Sequence, residues 1–136
     1  MFCTLFYGIL DTETGEVKYA NAGHTAPYLI NSDGKSNPIP ITGDMALGVM
    51  EDIPFQTSTV NMTKESSIYL FTDGVNEAMN EDQEEYSLDR LESFLEKKKN
   101  RSVSDIVDDS LNNVKLFVGT APQSDDITVL VLKYLG

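Results

Sequence analysis

One cysteine, one histidine and ten basic residues occur among 136, and each scarcity removes a class of function. Cys3 has no partner for an internal disulfide and no companion thiolates for a zinc site. His24 alone cannot build a histidine-rich metal cluster. Ten Lys and Arg against 22 Asp and Glu leave a net charge of −12, the wrong sign for a nucleic-acid backbone or an anionic membrane as partner. No run approaches the ~18 apolar residues of a membrane span. The opening stretch MFCTLFYGIL lacks the basic start and cleavage pattern of a secretory signal. The expectation is a cytoplasmic protein with neither nucleic acid nor membrane as partner, about one domain long and able to bury a real core.

The carboxylates are in surplus. Much of that surplus belongs on a solvated surface, but two stretches concentrate it where a core ends. In Ser67 to Ala78, SIYLFTDGVNEA, a continuous apolar run reads as a strand covered on both faces and stops at Asp73-Gly74. Asp-Gly is a strong turn signal and Asp a favoured helix N-cap, so Asp73 alone carries little. Near the other end, QSDDITVLVLKYL sets Asp125 and Asp126 directly before a second apolar run, Ile127 to Leu135. If the two strands are antiparallel neighbours, Asp73 and the Asp125-Asp126 pair meet at one rim, and gathered carboxylates call for a cation.

The rest of the chain gives these strands a setting. Phe2 to Leu10, a turn at Asp11 to Gly15 and Glu16 to Asn21 read as a hairpin. Pro27 to Ile30 is a further strand, and Asp33-Gly34 in NSDGKSN is only a turn. From Ser87, a plausible N-cap, Leu88, Leu91, Phe94 and Leu95 fall at helical spacing, with Lys97, Lys98 and Lys99 complementing the dipole at its end. After Ser102, residues Val103, Ile106, Val107, Leu111, Val114 and Val118 trace one face of a second helix. Strands, then helices, then a closing strand indicate an α+β layered domain. Cys3, inside the first apolar strand, is expected to be a buried and inert thiol.

The ordered set TLFYGILD, YANAGHTAPYLI, LGV, IYLFTDGVNEAMN and SDDITVLVLK resembles the C-terminal part of a metal-dependent (PPM-type) protein serine/threonine phosphatase domain. The branch is the bacterial one of stage II sporulation protein E and its sigma-factor-regulating relatives. FTDGVNEA together with DDITVLVL is the specific signature. The resemblance covers residues 1–136 as a single unit and implies a β-sandwich flanked by helices, holding two Mn²⁺ or Mg²⁺ ions at one end of the sheets. It assigns Asp73 and Asp125 as metal ligands, with Gly74 and Asp126 supporting. Two ions about 4 Å apart activate a bridging water and polarise phosphoryl oxygens, so no nucleophilic side chain is required. His24, in NAGHTAP, matches a structural turn and not the family's acid-type histidine.

Full members also carry an early Gly-Gly-Asp segment and an Asp-x-x-Gly-x-Gly segment that complete the two-metal site. Neither occurs here, and Met1 opens directly into an apolar strand, which favours an incomplete domain over a degenerate copy. The implied function is hydrolysis of phosphoserine or phosphothreonine on a regulatory protein in sigma-factor partner switching, with this chain inactive by itself. The alternative is a non-catalytic binding module that recognises a regulatory protein. Strands missing ahead of Met1 imply homo-oligomers formed through exposed sheet edges.

Overall fold

Phe6, Gly8 and Leu10 alternate with Leu5, Tyr7 and Ile9, and the turn after them returns the chain on itself, so the first segment folds as a hairpin. In the computed structural model, which describes residues 1–136, β1 (Leu5–Leu10) and β2 (Glu16–Ala22) pair antiparallel, with Leu5 opposite Ala22 and Leu10 opposite Val17. The Asp11 carboxylate accepts from the backbone N–H groups of Glu13 and Thr14. Those bonds hold its pKa below the ordinary carboxylate value. Gly15 closes the turn at φ +80°, where a side chain would strike the Met62 carbonyl, so conformation and space both require glycine.

A second hairpin joins β3 (Tyr28–Ile30) to β4 (Ser36–Pro38). Asp33 sits in its turn and accepts from the Lys35 N–H at 2.9 Å, the turn role expected for this Asp-Gly pair. Next come β5 (Ser58–Asn61) and β6 (Ser67–Phe71). Three helices follow, α1 (Asp73–Asn76), α2 (Leu88–Leu95) and α3 (Val103–Val118), and then β7 (Val129–Lys133). The strands form two sheets, ordered β1-β2-β5 and β4-β3-β6-β7.

β6 ties the layers together. Its neighbours β3 and β7 both run antiparallel to it. Ile68 turns into a cluster with Val17, Tyr19, Ile39 and Met62 between the sheets, while Tyr69 and Phe71 turn into a cluster with Leu91, Leu95, Ile106 and Val114 under the helices. The strand is therefore covered on both faces, as its unbroken apolar run indicates. The architecture is the expected α+β layering of two packed sheets with helices on one side. The Ser87 and Ser102 side chains accept from the N–H groups of Arg90 and Asp105, capping α2 and α3 at the expected serines.

Three local expectations fail. The first strand begins at Leu5 and not at Phe2, because Cys3 makes only an isolated bridge to Leu47. Cys3 is exposed, not buried, since this end of the edge strand has no layer over it. Lys97, Lys98 and Lys99 lie beyond the helix, which ends at Leu95. Lys98 instead bonds Asp109 of α3 at 2.8 Å and lies over the Phe94 ring. That bond holds the Asp109 pKa below the usual carboxylate value.

β1 and β7 are each paired on one side only. Leu5, Tyr7 and Ile9 are exposed on one face of β1, and Leu130 and Leu132 on one face of β7. Such edges offer unpaired backbone groups to a further strand.

Two tyrosines make the helix–sheet interface sensitive to alkali. Tyr69 is fully buried and Tyr86 nearly so, the latter donating to Asn113 Oδ1 at 2.5 Å. Burial pushes both phenols up to about 12. The folded state then holds its phenolic protons above pH 10, where the unfolded chain has lost them, so stability is retained below pH 10 and falls as pH rises toward 12. Urea midpoints recorded from pH 8 to 11.5 are expected to fall above pH 10, and Tyr69→Phe is expected to flatten that fall.

Candidate functional site

The antiparallel register sets Phe71 opposite Val129, so residues just past the end of β6 lie beside those just ahead of β7. Thr72 fastens the two segments. Its N–H donates to the Thr128 carbonyl at 3.1 Å, its hydroxyl donates to the Asp126 carbonyl at 3.1 Å, and the same hydroxyl accepts from the Thr128 N–H at 3.0 Å.

Asp73 follows as the first residue of α1 and is exposed. Gly74 comes next, and here the backbones touch: a Cβ on Gly74 would lie 2.2 Å from the Asp126 carbonyl oxygen. Glycine is required at this position by the close approach of another backbone, not by a left-handed turn. The Asp-Gly pair is thus a contact motif joining two distant segments.

On the facing segment, Asp125 Oδ1 accepts from the Asp126 N–H at 2.7 Å, and the Asp125 carbonyl accepts from Gln123 Nε2 at 2.7 Å. Both aspartates of the pair are exposed. Asp125 lines an open depression of about 680 Å³ together with Glu77, Glu81 and Glu85. Glu81 is already engaged by the hydroxyl and the N–H of Thr120. Glu77 is the residue that the sequence reading did not place here. It stands four positions after Asp73, the spacing that returns to the same side of a helical turn, and that spacing was its only signal.

The structure brings the segments of Asp73 and Asp125 into contact but brings no third donor to them. Nowhere do three Asp, Glu, His or Cys side chains gather as a metal ion would need. Exposed carboxylates suit a hard cation, yet this donor set is only part of what a two-ion centre requires. His24 is bound into the β2–β3 connection: Asn21 accepts from its N–H at 2.8 Å and donates to its carbonyl at 2.9 Å. Asp44 likewise orders a loop, accepting from the Thr42 hydroxyl and the Gln56 N–H.

Comparison with known proteins places the chain in a family and its fold among solved structures. The profile of the family described as Stage II sporulation protein E (SpoIIE) matches residues 1–135. Protein IcfG of Synechocystis sp. is 29% identical over 132 residues, spanning 97% of this chain and 20% of that protein. Phosphoserine phosphatase RsbU of Bacillus subtilis is 29% identical over 139 residues, spanning 98% of this chain and 39% of that protein. The chain therefore corresponds to well under half the length of either relative. Among solved structures, the phosphatase domain of the cell fate determinant SpoIIE from Bacillus subtilis, presoaked with Mn, superposes with a TM-score of 0.72 at 18% identity. That match covers 96% of this chain and 55% of the solved one.

The Gly74 contact makes its own prediction. Gly74→Ala is expected to lower unfolding stability by about 1–3 kcal/mol, the cost of forcing a methyl group into a filled space, as read from urea denaturation. Asp73→Ala, at an exposed position on the same turn, is expected to stay within about 0.5 kcal/mol of the parent.

Proposed function

The chain belongs to the stage II sporulation protein E family and has the fold of its PP2C-like phosphatase domains, and from that premise we propose that residues 1–136 are the C-terminal part of such a domain. In this reading Asp73 and Asp125 supply carboxylates to a Mn²⁺ or Mg²⁺ centre, and Gly74 and Asp126 support them by fixing the two backbones against each other. The activity of the whole domain is hydrolysis of phosphoserine or phosphothreonine on a regulatory protein of the partner-switching kind, in the cytoplasm. No helix is long and apolar enough to cross a membrane.

The observation that carries this reading is the contact of Gly74 with the Asp126 carbonyl. It puts the two aspartates on adjoining segments although 54 residues separate Thr72 from Asp126. Bound divalent ions supply Lewis acidity to a phosphoryl group. The chain's own part is to hold two carboxylates on rigid elements, one at the head of α1 and one ahead of β7.

The absence of a third donor beside them supports a second point: residues 1–136 alone bind a cation weakly and do not turn over. It also gives weight to the rival reading, a module that recognises a regulatory protein without catalysis.

Calorimetric titration of the 136-residue chain with Mn²⁺ is expected to show weak binding that Asp73→Asn or Asp125→Asn abolishes, with Asp33→Asn unchanged. Equal binding by all four proteins would show that these aspartates are not ligands.

Assayed on a phosphoserine peptide with excess Mn²⁺, the chain is expected to release no phosphate, and light scattering is expected to give a mass above that of one 15.1 kDa chain as open edges pair. A metal-dependent monomeric turnover would overturn both statements. Metal binding without turnover, together with binding of an unphosphorylated regulator, would favour the recognition module.

A further inference from the structure

The stripe Val103, Ile106, Val107, Leu111, Val114 and Val118 is only partly covered. Ile106 and Val114 are buried, whereas Leu111 remains 40% exposed. Leu111, Val114 and Val118 of this stripe form one wall of a groove of about 440 Å³ between α3 and the loop of residues 119–127. Seven of its thirteen lining residues are apolar, Ala78, Leu111, Val114, Val118 and Ile127 among them, and Lys115 is its one charged residue. The Lys115 ammonium is in no ion pair. An apolar trough with a single free cation selects for its opposite: an apolar side chain with a carboxylate beside it.

The position of the groove says what would bring such a group there. Met79, Ala121, Pro122 and Ser124 line both this groove and the depression that holds Asp125. Gln123 lines the groove and also donates to the Asp125 carbonyl. The groove and the Asp125 depression therefore adjoin, and a segment seated in one extends toward the other. We propose that this groove is a docking site for the protein substrate, taking an apolar side chain from a segment whose adjacent acidic residue pairs with Lys115. Naming the occupant as substrate rests on the phosphatase reading; the chemistry of the groove does not.

The test uses fluorescence anisotropy with twelve-residue peptides carrying a central phosphoserine and a Leu-Glu pair moved through successive positions around it. At least one register is expected to bind about tenfold more tightly than its Leu→Ala counterpart, the discrimination typical of an apolar pocket. Leu111→Lys in the chain is expected to remove that preference, and Lys115→Glu to reverse the choice between Glu and Lys in the peptide. The unphosphorylated form of the best peptide is expected to keep the Leu and Glu preferences without metal. That arm separates the two readings, because it stands even where Mn²⁺ titration finds no site at Asp73 and Asp125. Loss of the proposal follows if no register depends on Leu, or if Leu111→Lys leaves affinity unchanged. It follows equally if Leu111→Lys converts an associated chain to monomer while no peptide binds, which would assign the groove to a second copy.

Discussion

The approach of Gly74 to the Asp126 carbonyl is the constraint on which the rest of the molecule turns. It is a contact between two backbones with no room for even a methyl group, so it fixes the height at which β6 hands over to α1 relative to the start of β7. Thr72 reinforces it from two residues away by bonding both Asp126 and Thr128. Everything that makes the end of the sheet chemically interesting follows from that register. Asp73 leads away from it, Asp125 leads into it, and Glu77 lies one turn further on.

β6 is buried on both faces, whereas the residue that follows Thr72 is exposed. A strand locked between two layers cannot slide without turning its whole side-chain set over. The rim carboxylates therefore inherit the rigidity of the core without paying the desolvation cost of lying within it. This separation of a stiff apolar base from a wet polar rim is what a site for a hydrated cation needs.

Much of this was legible from the residues. The unbroken run Ile68 to Phe71 marks a doubly covered strand, serines mark both helix starts, the Asp-Gly pair marks where β6 ends and the Asp-Asp pair where β7 is about to begin. The illegible parts have physical reasons. Ser58–Asn61 is short and mostly polar, so β5 leaves no periodic signal, and its one strand partner is β2. The lysines after Leu95 look like a helix end, but Lys98 finds Asp109 across the interhelical gap, a tertiary partner that no local pattern contains. Cys3 reads as core because its neighbours are apolar, and whether an apolar strand is covered depends on layers that its own sequence does not describe. Glu77 has no assignment in the sequence for the same reason: only the fold sets it beside Asp125 in one depression.

The pairing of β6 with β7 also has a kinetic meaning. The β1–β2 hairpin closes over a few residues, but Thr72 meets Asp126 across 54, and all three helices must be accommodated inside that loop. Loop closure of this length follows the formation of local structure. The rim therefore depends on a non-local closure, and it is not formed until the last strand docks against β6. Amide exchange at Thr72 and Thr128 consequently reports opening of the closing strand, and a cation held across this rim would slow its undocking while leaving the first hairpin free to breathe.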